Sequence, residues 1–203
     1  MGYSRRNFLK AAGSGIALTT VGGGLASAAG APQAPAVPAG APMTRETAIF
    51  NINGASYPVE YEARTTLWEV IAVKLGLTGT NRSCNRASCG ACSVLVDGQP
   101  FYSCHTLAME AAGRDILTIE GVGDEDDLHP LQAVGHRHVA ASCGFCTPGW
   151  VVTAKGLLDT NPDPSEDEVK AALAGHICRC SAYPAIVRTV MDAGAVLRGE
   201  AEL

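Results

Sequence analysis

The chain has 203 residues, 47% of them hydrophobic and 17% charged, with a formal net charge of −5. Such a length holds one domain or two small ones. The acidic balance excludes a nucleic-acid-binding role, which needs a basic face, and no nucleotide-binding glycine fingerprint or nucleophile–base constellation is present, so the sequence shows no substrate site of its own.

The first segment reads as an export signal. Ser4-Arg5-Arg6-Asn7-Phe8-Leu9-Lys10 carries a twin-arginine pair, a weakly apolar, glycine-rich stretch follows over 11–25, and Ala26-Ser27-Ala28 matches an A-x-A cleavage site. Roughly 20 strongly apolar residues are needed to span a bilayer, and this stretch is too short and glycine-broken for that. Residues 1–28 are therefore expected to be a twin-arginine signal peptide, and the protein to be periplasmic. Its removal takes away Arg5, Arg6 and Lys10 and no acid, moving the net charge from −5 to −8. Residues 29–43 form an Ala/Pro-rich linker with Pro32, Pro35, Pro38 and Pro42, a composition that favours extended backbone and buries no core.

From residue 44 the periodicity becomes that of a folded domain. Residues 48–52 and 57–61 read as strands joined by a hairpin turn at Asn53-Gly54. Leu67, Val70, Ile71 and Leu75 make a helical stripe over 65–75. Strands are expected at 93–96 and 99–102, around Asp97-Gly98, and at 116–119. A mixed sheet with one helix over 44–122 matches a β-grasp, plant-type ferredoxin arrangement. Over 123–203 the pattern turns helical, at 129–139 with Pro130 in the first turn, at 148–158, at 165–175 behind a Ser165/Glu168 capping box, and at 185–197. These read as a small four-helix bundle, making the fold class α+β.

The eight cysteines fall into two sets of four with none left over. Cys84, Cys89, Cys92 and Cys104 read C-x4-C-x2-C with a fourth cysteine after eleven residues, the spacing of a plant-type [2Fe–2S] loop. Cys143, Cys146, Cys178 and Cys180 pair a C-x2-C with a distant C-x-C. Thiolates are soft, anionic ligands that suit iron–sulfur clusters. Structural zinc is the competing reading, open for the second set from spacing alone. Disulfides are disfavoured because loops as tight as C-x-x-C and C-x-C sit poorly with unstrained disulfide geometry. Gly90 and Gly144 lie inside the ligand loops, where they let backbone N–H groups turn toward a cluster. His105, His129, His136, His138 and His176 occupy no ligand position, which argues against a Rieske-type centre. Trp68 and Trp150 fall in helical patterns and read as packing or interface residues.

The segments Ser83-Cys84-Asn85-Arg86-Ala87-Ser88-Cys89-Gly90-Ala91-Cys92, Leu128-His129-Pro130-Leu131-Gln132, Cys143-Gly144-Phe145-Cys146-Thr147-Pro148-Gly149 and His176-Ile177-Cys178-Arg179-Cys180-Ser181-Ala182-Tyr183 resemble the iron–sulfur subunit of xanthine oxidase-family molybdenum hydroxylases. The resemblance covers about 44–199 and is greatest to the small subunits of periplasmic aldehyde oxidoreductases. It implies two [2Fe–2S] clusters and a large partner subunit with a molybdenum pterin cofactor. It also implies that Cys143, Cys146, Cys178 and Cys180 hold the inner cluster, nearest the pterin, and Cys84, Cys89, Cys92 and Cys104 the outer one. A flavin subunit, a cytochrome c subunit and a soluble carrier stay open as acceptors. Two positions depart from the family pattern: Ser142 stands where Gln usually contacts the pterin, and Arg86-Ala87 replaces small or acidic residues. Other readings are a small subunit acting on N-heterocycles such as isoquinoline, and a free-standing two-cluster ferredoxin.

Overall fold

The computed structural model describes residues 44–203 except 125; the expected signal peptide (1–28) and the expected linker (29–43) lie outside the described residues. β1 (Arg45–Ile52) and β2 (Ala55–Glu62) form an antiparallel hairpin; β1 starts earlier than the expected strand and ends where expected, and β2 is longer at both ends. Its turn holds Asn53 at φ 52° and Gly54 at φ 79°, the pair of left-handed residues whose twist suits a two-residue hairpin. β3 (Ser93–Val96) and β4 (Gln99–Tyr102) form the second hairpin about Asp97-Gly98. With β5 (Asp115–Leu117) the strand order is β2-β1-β5-β3-β4, and only the β1/β5 pairing is parallel. The expected last strand ends early because Ile119 enters a 3-10 turn, Ile119–Gly121.

The expected helix at 65–75 is realised as α1 (Glu69–Lys74), which is π-helical. Leu75 N–H donates to Val70 O at 3.1 Å, one residue further back than an α-helix allows. The wider turn keeps Leu67, Val70 and Ile71 fully buried against Phe50, Ile52, Val94 and Val96. A one-turn helix, α2 (Ala108–Ala111), has no counterpart in the periodicity; it is too short to give one.

The second half contains α3 (Pro130–Arg137), α4 (Thr147–Thr160), α5 (Glu166–Ala172) and α6 (Tyr183–Leu197). Pro130 occupies the first turn of α3 as expected, and His129 caps it, its Nδ1 accepting from Leu131 N–H at 3.2 Å. α3 stops short of the expected end; Val139 leaves the helix at φ 52°. α5 opens on the expected box, with Ser165 N–H donating to Glu168 Oε2 at 2.8 Å and Glu168 N–H to Ser165 Oγ at 3.3 Å. Ser165→Ala is expected to cost about 1 kcal/mol, read as a lower denaturation midpoint.

The described residues pack as one compact unit, and β3 joins its halves. All four β3 residues are buried. Val94 and Val96 face the core beneath the sheet, while Leu95 points into the helical core with Trp150, Val151, Val152 and Leu158. A strand covered on both faces loses alternation and reads as continuously apolar. α4 lies over it, and two glycines make that approach possible. A Cβ on Gly156 would meet Leu95 Cδ2 at 2.8 Å, and one on Gly149 would strike the Gly90 carbonyl oxygen.

Candidate metal centres

The loop before β3 places Cys84, Cys89 and Cys92, and the turn after β4 brings Cys104 beside Cys92. Asn85, Ala87 and Gly90 have φ of 53°, 54° and 74°. Left-handed residues interleaved with ordinary ones turn successive N–H groups inward, the concave arrangement that receives an anion. Ser88 N–H already donates to Cys84 Sγ at 3.3 Å. That bond, with the Arg86 N–H next, draws the Cys84 thiol down to about 7. Burial instead pushes Cys92 up to about 12. Ser103 Oγ donates to Cys92 O at 2.7 Å and fixes the returning strand against the loop.

The second set is assembled from the start of α4 and the segment between α5 and α6. Cys146 lies against Cys178, and burial pushes its thiol up to about 12. Cys180 lies against Cys143, whose backbone N–H and side chain, with the Ser142 side chain, hold the Cys180 thiol below its usual value. The Ser142 hydroxyl thus addresses a ligand sulfur of its own chain. Cys178 N–H donates to the Tyr183 hydroxyl at 2.8 Å.

Side-chain hydrogen bonds link Cys84 with Cys89, Cys92 with Cys104, Cys146 with Cys178, and Cys143 with Cys180, and Cys92 also faces Cys89, as Cys146 faces Cys143, so each set comes together as two linked pairs. A tetrahedral zinc site would gather all four sulfurs of a set around one point, whereas a [2Fe–2S] cluster takes two protein ligands on each of two irons. Pairwise thiols on inward-turned N–H loops fit the cluster. Loading must expel the protons of Cys92 and Cys146, since only thiolates ligate.

Direct bonds stitch the two sets together. Ile177 N–H donates to Cys89 O at 3.0 Å, joining the Cys178/Cys180 segment to the loop of the first set. Asn81 Nδ2 donates to Phe145 O at 2.9 Å. Arg82 stacks on Trp68 at 3.7 Å, and Trp68 Nε1–H donates to Thr80 O at 2.8 Å, holding the stem of the outer loop. His176 packs between the sets, its Nε2 at 3.2 Å from both Ser93 Oγ and Thr153 Oγ1. Burial lowers its affinity for a proton, opposed by the Gly149 and Leu173 carbonyls. The sequence treats His176 as a lone histidine, and only its place next to the C-x-C could have marked it. Of the other histidines, His129 is a cap, and His138 pairs with Asp192 at 2.7 Å.

Residues 50–118 match the family described as "2Fe-2S iron-sulfur cluster binding domain", and 118–191 the one described as "[2Fe-2S] binding domain". The aldehyde oxidoreductase iron–sulfur-binding subunit of Escherichia coli (strain K12) is 32% identical over 98% of this chain and 91% of its own length. The chain belongs to the iron–sulfur subunits of the xanthine oxidase-family molybdenum hydroxylases. An aldehyde oxidoreductase of Megalodesulfovibrio gigas is 44% identical over 75% of the chain, which spans only 17% of that longer protein. Among solved structures, quinoline 2-oxidoreductase from Pseudomonas putida 86 superposes with a TM-score of 0.72 at 40% identity, covering 77% of this chain and 99% of that one. Membership fixes the α+β fold of a ferredoxin domain plus a helical cluster domain, and the electron-transfer role of a protein with two [2Fe–2S] clusters.

Proposed function

We propose that this chain relays electrons from a molybdenum pterin site in a large partner subunit to an acceptor while an aldehyde is oxidised to a carboxylic acid. Aldehyde and water give the acid, two protons and two electrons; only the electrons concern this chain. Cys143, Cys146, Cys178 and Cys180 hold the inner cluster, and Cys84, Cys89, Cys92 and Cys104 the outer one. Bound there, each cluster takes up and passes on single electrons. The observation that carries the reading is the Ile177 N–H to Cys89 O bond, which makes one continuous backbone route between the two ligand sets.

The exposures give the route a direction. Cys143 and Cys180 are exposed, whereas Cys178, next to the bridging Ile177, is buried. The Cys143/Cys180 edge is the face offered to the pterin-bearing partner, and the exposed Arg82 and Arg86 flank the exit at Cys84. The acceptor is a flavin subunit, a cytochrome c subunit or a soluble carrier. The domains follow as 44–122 for the ferredoxin unit and 123–203 for the helical unit. A complex purified by a tag on this chain and assayed for molybdenum, iron and sulfide, then with an aldehyde panel, tests the proposal. A chain that carries both clusters but brings no large subunit would be a free-standing ferredoxin. The likeness to quinoline 2-oxidoreductase supports a second reading, oxidation of an N-heterocycle, so quinoline and isoquinoline belong on the panel.

Residues 1–28 act as a twin-arginine leader, followed by the 29–43 linker, and deliver the folded, loaded protein to the periplasm. Replacing Arg5 and Arg6 together by lysine keeps the charge but removes the pair that the export receptor reads. The double variant is expected to leave folded precursor in the cytoplasm, as seen by fractionation and blotting. Unchanged export would refute the leader assignment.

A further inference from the structure

His176 is 92% buried, yet it is a polar ring in a position where an apolar side chain would pack. It touches three separate segments. Its ring lies over Gly90, where a Cβ would meet His176 Cδ2 at 2.6 Å and Cγ at 2.8 Å. Its Nε2 reaches the Ser93 hydroxyl, one residue after Cys92, and the Thr153 hydroxyl on α4, each at 3.2 Å. Its own backbone leads directly to Ile177 and Cys178.

The hydrogen-bond roles can be worked out. Ser93 Oγ donates its only hydrogen to Gly90 O at 2.8 Å, so it can only accept from the ring. With the hydrogen on Nε2, the ring donates to both hydroxyl oxygens. Nδ1 makes no hydrogen bond of ordinary geometry. The ring is thus a donor aimed at the ferredoxin unit.

The next residue explains why a donor is needed there. Ile177 makes the hydrogen bond to Cys89, but its side chain is 58% exposed. Little packing of its own holds that N–H in place. On the far side, Cys178 N–H is tied to Tyr183 and so to α6, not to the outer loop. Something must register the segment against the outer loop, and His176 is the adjacent group that does.

We propose that His176 is a positioning residue: its Nε2–H, clamped between Ser93 and Thr153, holds Ile177 N–H against Cys89 O and so sets the electronic coupling between the two cysteine sets. The inference rests on the two-cluster reading. It goes beyond that reading by assigning the coupling to a residue that binds no metal.

The test uses the full chain loaded with both clusters, reduced with dithionite. It reads the spin–spin splitting between the reduced clusters by electron paramagnetic resonance and the exchange of the Ile177 amide by mass spectrometry. His176→Leu fills the volume without a donor, whereas His176→Gln places an amide N–H about where Nε2 lies. The leucine variant is expected to keep both clusters, lose or broaden the splitting, and exchange the Ile177 amide about fivefold faster, the factor for losing one ordinary hydrogen bond. The glutamine variant is expected to keep both readings near those of the unsubstituted protein. A leucine variant with unchanged splitting and exchange would overturn the proposal, as would a glutamine variant no better than leucine. Should leucine prevent cluster loading, the Ser93→Ala/Thr153→Val double variant leaves the ring in place, and unchanged readings there overturn it too. An unsubstituted chain with no iron or sulfide would instead sink the two-cluster reading.

Discussion

Gly149→Ala is expected to destabilise the holoprotein by about 2 kcal/mol and to lower its iron content. The added Cβ would strike the Gly90 carbonyl oxygen and come within 3.1 Å of Ala91 Cα. Both are backbone atoms of the loop that carries Cys89 and Cys92, and that loop is already held at Gly90 in a left-handed conformation. No rotamer change relieves such a clash, so α4 or the loop must move. Overpacking of this kind costs up to about 3 kcal/mol, of which alanine regains about 1 kcal/mol through its better helix propensity. Gly156→Ala is the control on the same helix. Its Cβ would first meet the far end of the Leu95 side chain, at 2.8 Å, and a backbone atom, the Gly98 carbonyl oxygen, only at 3.3 Å, so less of the clash falls on rigid backbone. That variant is expected to lie near zero, because strain and propensity offset each other. Denaturation midpoints and iron per chain measure both. Equal losses at the two glycines would mean that the outer loop is not the rigid partner.

Much of the fold was legible because its signals are local. Asn53-Gly54 and Asp97-Gly98 specify hairpin turns by their backbone conformation alone, and Ser165 with Glu168 specifies a helix start. Both cysteine sets stand out in the sequence because each keeps tight, regular spacings within short loops. What remained hidden depends on partners distant in sequence. α1 widens into a π-helix to keep Leu67, Val70 and Ile71 in one core, and periodicity cannot tell that from an α-helix. The apolar run of β3 marks burial on both faces, but not that Leu95 serves a different core from its neighbours. Gly90 was legible as a loop glycine; that it also makes room for His176, a residue 86 positions later, was not. The pairing of the sulfurs likewise follows only once Cys178 and Cys180 return beside Cys146 and Cys143. The join between the halves is where the sequence was least informative.

Cys180→Ser is expected to abolish nearly all turnover with external acceptors, while Cys89→Ser should leave the first electron transfer intact. Cys180 and Cys143 form the exposed pair of the helical unit, and Cys178 lies on the buried side beside the bridge to Cys89. Electron tunnelling falls steeply with distance, so two centres that meet at the Ile177–Cys89 contact behave as an ordered series. Losing a ligand at the entrance interrupts everything beyond it. Losing Cys89 removes a ligand beyond the bridge, so one substrate turnover should still reduce what Cys143, Cys146, Cys178 and Cys180 hold. The Ile177 contact is made by the Cys89 carbonyl, which serine keeps, so the substitution need not open the join. Stopped-flow absorbance of each molybdenum-loaded complex, mixed with substrate in single turnover, separates the two cases. Iron analysis beforehand shows which set each variant has kept. If the Cys89 variant cannot reduce its remaining centre while the Cys180 variant can, electrons enter at the ferredoxin unit and the order of the relay is reversed.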